Sequence, residues 1–190
     1  MSDLTHTQRS LHAQTSQRLA RLHQLGFADR PDEEFDRFSS ALARDSGVPG
    51  ALAMVNAISD RQFFTGVHLP SAEELGSVAE AEALAAAVGR VMPLEHGYCP
   101  ETMDRTKPLT LPDVCMKPDF AGNEVVDLVG IRVYMGVRLI DKEMEIPLMT
   151  ICVVGRERRP MKDGRRMLDY IKQRGAQAQY LLDQRISALS

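Results

Sequence analysis

The chain has 190 residues, of which 44% are hydrophobic and 26% are charged, proportions that are ordinary for globular proteins and exclude a disordered chain. No stretch approaches the roughly 18 consecutive apolar residues of a membrane-spanning helix, and residues 1–19 lack the apolar centre of a secretory signal, so we expect a cytoplasmic protein. The net charge is -3, but residues 31–155 hold ten basic against twenty acidic residues and both ends are basic, which argues against a continuous nucleic-acid surface.

Three cysteines, Cys99, Cys115 and Cys152, lie far apart in the sequence and form no CxxC motif. An odd number of cysteines without this spacing is typical of a reducing compartment and gives no zinc signature. Cys152 lies in an apolar run and is expected to be a core residue. Cys99 and Cys115 are expected in loops.

Two helices are predicted before the first strand. Leucines recur through residues 3–25 as a thin apolar stripe among Gln, Arg and His, so this helix needs a partner to be stable. A second helix is predicted over residues 32–45, because Phe35, Phe38 and Leu42 recur at helical spacing.

A hairpin and a long helix follow. Residues 51–58 and 61–66 are short runs separated by a turn, a pattern that predicts two paired strands. Residues 71–92 are rich in alanine and predict a single helix, which begins with a capping box formed by Ser71 and Glu74.

The segment from residue 93 to residue 130 is rich in proline and irregular in its pattern. A short strand is predicted at residues 109–111 and one helical turn near residues 123–128. A loop-rich insertion of this length inside a compact domain is usually functional or mobile.

Two strands and a long helix close the chain. Residues 131–139 alternate between apolar and polar, which predicts one core face and one polar face, whereas residues 147–154 are apolar on both faces. The helix predicted over residues 163–189 carries the small residues Gly175 and Ala178, which would let another helix come close. Consecutive strands with short links favour an antiparallel sheet and an α+β fold.

Several motifs in this order resemble one family. They are DRQFF after the first strand, HGYCPETM in the irregular segment, and GIRVYMGVRLI followed by PLMTICVVGRERRPM. The last pair is similar to the IRFYAGAPL…GTLCVIDREPRPL pattern of bacterial signalling GAF domains. The resemblance covers roughly residues 32–186. It implies an antiparallel sheet of about six strands with helices on both faces and long helices at both ends.

The resemblance also implies a domain organisation and a function. Residues 1–30 would be a helical extension and residues 31–190 a single GAF-like domain that ends in a long helix. Family members commonly dimerise through their first and last helices, so we expect a homodimer. Their usual role is sensing, so we expect a non-catalytic domain that binds a small molecule and signals to a separate protein. The sequence identifies neither the ligand nor a cofactor.

The family pocket lies between one sheet face and the irregular segment, and the candidate ligand-binding residues come from both. They are Phe64, His96, Tyr98, Cys99, Asp113, Phe120, Arg132 and Tyr134. Arg132 could hold a carboxylate or phosphate with two parallel hydrogen bonds, or could pair with Asp113 or Asp119. Phe64, Phe120 and Tyr134 could equally be core residues.

Other chemistries use the cysteines. His96 and Cys99 could share a metal ion, but no further ligand stands at a workable spacing. In bilin-binding relatives the cysteine that holds the chromophore is followed by a histidine, but here Pro100 follows Cys99. A methionine sulfoxide reductase-like enzyme would need Cys99 and Cys115 to meet. The alternatives to a sensor are therefore a protein-interaction module with a closed pocket and a cysteine-based redox enzyme.

Overall fold

The computed structural model describes residues 13–189, which form an α+β fold around an antiparallel sheet. Its six strands are β1 (Leu52–Ile58), β2 (Gln62–His68), β3 (Val91–Met92), β4 (Leu109–Leu111), β5 (Val133–Asp141) and β6 (Ile146–Gly155). Their order across the sheet is β3-β2-β1-β6-β5-β4. The two predicted hairpins are confirmed, and they meet where β1 pairs with β6 at the centre of the sheet.

Helices cover both faces, as expected. They are α1 (Thr15–Leu25), α2 (Glu33–Arg44), α3 (Ala72–Leu75), α4 (Val78–Val88), α5 (Cys99–Asp104), α6 (Pro118–Ala121), α7 (Glu124–Val129) and α8 (Gly164–Ser187), with short 3-10 turns at Val114–Met116 and Met161–Asp163. The part of the first predicted helix that precedes residue 13 lies outside the described residues. None of the helices within residues 13–189 is long and apolar enough to cross a membrane.

One face of the sheet is covered by α1, α2 and α8. Leu22 of α1, Phe35 of α2 and Ile171 of α8 are buried in one core cluster with residues of β1, β5 and β6. The small residues of α8 serve this packing, since a Cβ on Gly175 would lie 2.7 Å from Val137 Cγ1 of β5. The apolar stripe of α8 is thus directed at its own sheet.

The opposite face is covered by shorter pieces of chain. Helices α4 to α7 form a second core cluster with β1, β2, β5 and β6. In β5 this is the face that the sequence predicts to be polar. The Tyr134 side chain there is only 1% exposed, and its hydroxyl lies over Gly136, where no Cβ obstructs it. Both faces of this part of β5 are therefore buried, because α5 covers the second one.

The single helix predicted over residues 71–92 is wrong in its length. The capping box of Ser71 and Glu74 is present, but α3 ends after one turn at Gly76, which adopts a left-handed conformation with φ 70°. Ser77 then caps a new helix by accepting a hydrogen bond from the Glu80 amide at 3.2 Å. Two breaking residues in succession outweigh the high helix propensity of the alanines that follow.

Candidate functional site

A small cavity lies between the second face of the sheet and the segments that cover it. Its volume is about 50 Å³. The residues around it are mostly apolar: Leu52, Met54, Gln62, Phe64, Val88, Met92, Gly97, Tyr98, Cys99, Val125, Val129, Ile131, Tyr134, Cys152 and Val154. A cavity of this size admits a few water molecules and is far smaller than the roughly 300 Å³ or more of pockets for drug-sized ligands.

The floor of the cavity is formed by side chains of alternate strand residues, which point to one face of the sheet. Met54 of β1 pairs across the sheet with Cys152 of β6, and Tyr134 of β5 pairs with Val154 of β6. Side chains two residues apart on a strand share a face, so these four side chains all point to the same side. The floor is therefore built from three adjacent strands.

The covering wall comes from the irregular segment. Asn123 caps α7 and also fixes the preceding loop, because its Oδ1 accepts from the Gly97 amide at 2.8 Å and its Nδ2 donates to the Gly97 carbonyl at 2.9 Å. These bonds hold Tyr98 and Val125 together over the cavity. Apolar side chains of this wall, Val125 and Val129 among them, pack on the sheet.

Two tyrosines close one side of the cavity. The Tyr134 hydroxyl lies 2.7 Å from Thr102 Oγ1, and the Tyr98 hydroxyl donates to the Phe120 carbonyl at 2.9 Å. The rings of Tyr98 and Tyr134 meet edge to face, with centroids 5.2 Å apart. Phe120 packs against Tyr98 on the side away from the cavity. The Tyr134 hydroxyl therefore holds the wall to the sheet, whereas the Tyr98 hydroxyl joins two parts of the wall.

Buried amides continue the site toward β2. Asn56 Nδ2 donates to Gln62 Oε1 at 2.9 Å, and Gln62 Nε2 donates to the backbone carbonyls of Pro93 and His96 at 2.6 and 2.7 Å. This chain of bonds ties the start of the irregular segment to the sheet. The sequence analysis missed both residues, although an Asn within the apolar run 51–58 was a usable signal.

Two thiols meet beside the cavity. Hydrogen bonds, foremost from the Cys152 thiol and also from Thr150, Tyr134 and Asn56, lower the pKa of Cys99 to about 6 although burial raises it. The pKa of Cys152 is raised by this hydrogen bond to Cys99 and by burial. Cys152 is buried as expected, and Cys115 is exposed. The redox hypothesis paired Cys99 with Cys115, but Cys99 is buried and shares the cavity wall with Cys152, whereas Cys115 is exposed.

Arg132 and Asp113 lie away from the cavity and bind each other. The guanidinium donates to both carboxylate oxygens of Asp113, with Nη2 3.2 Å from Oδ1 and 3.0 Å from Oδ2. Burial raises the pKa of Asp113, but the bonds from Arg132 and the Cys115 amide outweigh it and lower that pKa. This is the structural pair that the sequence analysis offered as the alternative to anion binding.

His96 contributes its backbone rather than its ring, since its carbonyl accepts from Gln62 and its side chain is absent from the cavity wall. Within residues 13–189, no three His, Cys, Asp or Glu side chains are placed to share a metal ion. Of the eight predicted residues, Phe64, Tyr98, Cys99 and Tyr134 line the cavity, whereas His96, Asp113, Phe120 and Arg132 do not.

No family model and no curated protein matches the sequence. The structure, in contrast, is similar to solved GAF domains. The GAF domain of the Acinetobacter phosphoenolpyruvate-protein phosphotransferase has a TM-score of 0.53 and 11% identity over 97% of this chain and 98% of its own. The A. aeolicus Nlh2 GAF domain in an inactive state has a TM-score of 0.56 and 11% identity over 92% and 99%.

An enzyme with this fold is also among the similar structures. The type II free methionine-R-sulfoxide reductase of Thermoplasma acidophilum has a TM-score of 0.49 and 9% identity, over 75% of this chain and 88% of its own. Similarity of this degree supports no argument about chemistry. Identities this low establish the fold alone, so function has to be argued from the residues of this chain.

Proposed function

Because the chain has the fold of GAF domains, we propose that it is a non-catalytic regulatory domain that binds a small molecule between the sheet and its irregular covering segment. The observation that carries this proposal is the cavity itself, which is bounded by side chains of the sheet, by the end of α4 and by the loop and helices of residues 93–130. A ligand that enters there contacts both the sheet and the segment that covers it. Its binding energy therefore depends on their relative position.

The size of the cavity limits the ligand. About 50 Å³ accepts a ligand of only a few non-hydrogen atoms without rearrangement. A nucleotide or a chromophore would have to displace the covering segment from the sheet. The wall that contains Val125 and Val129 is the part to move, since these apolar side chains pack on the sheet. The protein that responds to this movement would be a separate cytoplasmic signalling partner.

Cavity filling tests the proposal. Val125 lines the cavity from α7, so Val125→Phe places a ring in it, whereas Leu128→Phe changes the same helix at a side chain that is 60% exposed. A thermal-shift screen of metabolites is run on the native chain and both variants. We expect at least one compound to raise the melting temperature of the native chain and of Leu128→Phe but not of Val125→Phe. A compound that stabilises all three equally, or no active compound, would remove the cavity as the ligand site.

A protein-interaction module with a closed pocket is the second candidate, and the small volume of the cavity favours it. A solid pocket packed by Met135, Met149 and Phe120 would favour this candidate, but the two methionines lie in the core on the opposite face and Phe120 does not line the cavity. If the protein is such a module, the terminal helices would form the interaction surface, through which two copies of the chain make a homodimer. Since the apolar stripe of α8 packs on its own sheet, the outer face with Tyr180, 62% exposed, would make the contact.

Native mass spectrometry separates the two candidates. A dimer that becomes a monomer in Tyr180→Glu, together with no retained ligand and no compound active in the screen, would favour the interaction module. The matched control is Lys172→Glu, another exposed position of α8 two helical turns earlier. A monomer with a retained small molecule would support the sensor and remove the module.

A further inference from the structure

A second concavity lies outside the cavity, between the end of β4 and the loop that joins β6 to α8. Its volume is about 320 Å³, within the range of pockets that hold ligands. We call it the arginine groove, and it is lined by Asp113, Met116, Arg158, Arg159, Pro160 and Met161. None of these residues lines the cavity beneath the covering segment. The two concavities are therefore separate candidate sites.

Two methionines of the groove are exposed. Met116 is 64% exposed and Met161 is 63% exposed. Single exposed apolar side chains are common, but two that line one groove form a local apolar surface. Methionine is flexible and polarizable, and it is over-used at surfaces that adapt to different partners. Since arginine and methionine are both enriched in protein interfaces, the groove has the composition of a protein-binding surface.

Positive charge is in excess around the groove. Residues 156–166 hold six basic and two acidic residues in a chain whose net charge is -3. The Asp163 carboxylate is shared by two guanidinium groups, with Arg159 Nη2 at 3.3 Å and Arg166 Nη2 at 2.9 Å. Arg158 forms neither an ion pair nor a side-chain hydrogen bond within residues 13–189. Its guanidinium is therefore available to an anionic group from outside the chain.

The carboxylate of Asp113 does not cancel this charge. Its oxygens already accept from Arg132 Nη2, and Oδ1 also accepts from the Cys115 amide at 3.0 Å. The first turn of α8 adds Arg165 and Arg166 without an acidic residue, at the end of the helix where the dipole is positive. Charge complementarity therefore favours an acidic partner over a neutral or basic one.

Backbone hydrogen bonds hold the groove in shape. The Arg159 amide donates to the Pro112 carbonyl at 2.7 Å, and the Val114 amide donates to the Arg132 carbonyl at 2.8 Å. The Arg132 amide donates in turn to the Gly155 carbonyl at 2.9 Å. These bonds join the loop before α8 to the segments around β4 and β5. A surface that is already ordered loses less entropy on binding than a mobile loop does.

We propose that the arginine groove binds an acidic segment of a partner protein that carries a large apolar side chain. A glutamate or aspartate of the partner accepts two parallel hydrogen bonds from Arg158, and the apolar side chain packs against Met116 and Met161. Nucleic acid fits less well, because no aromatic side chain lines the groove for a base to stack on. The groove is separate from the cavity, so this inference goes beyond the proposed function.

The test is fluorescence anisotropy with a labelled peptide in which a leucine is flanked by glutamates. One comparison peptide has glutamines in place of the glutamates, and another has a serine in place of the leucine. We expect the native chain to bind the first peptide about 10-fold or more tightly than the glutamine peptide, because charge-assisted hydrogen bonds are lost in the latter. Binding should weaken as the salt concentration is raised, since salt screens exposed charges.

Variants locate the binding in the groove. Arg158→Glu should weaken binding of the acidic peptide about 10-fold or more, since it removes a charge-assisted bond and adds repulsion. Met161→Gln keeps the side-chain length but makes it polar, so the preference for leucine over serine should fall. The matched control is Arg61→Glu, the same change at an exposed arginine in the turn after β1, at the other end of that strand from the groove. It should leave the affinity unchanged.

Circular dichroism and thermal melting establish that each variant is folded before affinities are compared. Equal weakening in Arg61→Glu, or equal binding of the glutamate and glutamine peptides, would overturn the site. An oligonucleotide that binds more tightly than the acidic peptide would overturn it as well. Self-association of the native chain that Arg158→Glu abolishes would assign the groove to a second copy instead. Val125→Phe changes only the cavity and should bind the peptide as the native chain does, so this inference and the proposed function can fail separately.

Discussion

The two faces of the sheet are covered in different ways. Helices α1, α2 and α8 cover one face with continuous apolar stripes, and the core there is filled. On the other face, helices α5, α6 and α7 have only four to six residues each, and the core contains a cavity, two thiols and buried amides. Regular helices fill space efficiently because their side chains repeat, whereas short pieces leave gaps and polar groups that need partners. We therefore expect the first face to contribute more to stability, and the candidate ligand site lies on the second.

The largest expected loss of stability comes from truncating a large side chain in the core under α1, α2 and α8. Phe35→Ala removes a fully buried ring and should destabilise the protein by about 3–5 kcal/mol. Phe64→Ala on the cavity face should fall at or below the lower end of that range, because one side of this ring already lacks neighbours. Urea unfolding of both variants measures the difference. A larger loss for Phe64→Ala would contradict the assignment of stability to the first face.

Overpacking the filled face should have the next largest effect. The Cβ added by Gly175→Ala would lie 2.7 Å from Val137, so we expect a loss of about 1–3 kcal/mol. Gly122→Ala is the control on the covering segment, where an added Cβ meets nothing within 4 Å. That change should be neutral or stabilise the protein by up to about 1 kcal/mol. If both variants unfold at the same urea concentration, α8 is not in close contact with β5.

Removing one hydroxyl from the cavity face should have a smaller effect. Tyr134→Phe deletes the bond to Thr102, whose hydroxyl keeps its bond to the Tyr98 carbonyl at 2.8 Å. We therefore expect a loss of about 0.5–1.5 kcal/mol. Hydrogen exchange should increase in residues 98–104 and remain unchanged in α8. An increase spread over the whole chain would mean that the two faces do not open independently.

The smallest effect on stability is expected from the pH-dependent contribution of Asp113. The folded-state pKa of Asp113 is lowered, so its contribution to stability is present above its unfolded pKa of about 3.9 and is lost as the pH falls through the folded value. Asp113→Asn should lower the melting temperature at pH 7, where the carboxylate contributes its full stabilisation, and should flatten the pH dependence below about pH 4, where the native chain loses that contribution. Glu101→Gln alters an exposed ion pair and is the control. If the melting temperature of Asp113→Asn depends on pH below about pH 4 as strongly as that of the native chain, this carboxylate is not a source of the pH dependence.

Long regular elements were predictable because their pattern repeats. The stripe of Phe35, Phe38 and Leu42 gave α2, and the alternation from residue 131 to residue 139 gave β5, each within two or three residues. Of the short elements, β4 and α7 were predicted, at residues 109–111 and near residues 123–128, whereas α5 and α6, with six and four residues, were missed. The break between α3 and α4 at Gly76 and Ser77 was missed because the alanines around it favour a continuous helix.

Only part of the cavity lining was predictable. Phe64, Tyr98, Cys99 and Tyr134 were identified and line the cavity, whereas Met54, Gln62 and Cys152 were missed because each belongs to a strand that reads as core. A sequence gives the face of a strand but not which residues of two distant strands oppose each other. The meeting of Met54 with Cys152 follows from the β1–β6 register, which joins residues 98 positions apart.

The sequence by itself determined the α+β class, the two hairpins and the long last helix, because these follow from local periodicity and capping. The tertiary structure alone decided that the stripe of α8 packs on its own sheet, that Arg132 is paired with Asp113, and that Cys99 meets Cys152. Each of these contacts forms between surfaces that come together only when the chain is compact. Long-range packing decides which surfaces meet, and no local stretch of sequence contains that information.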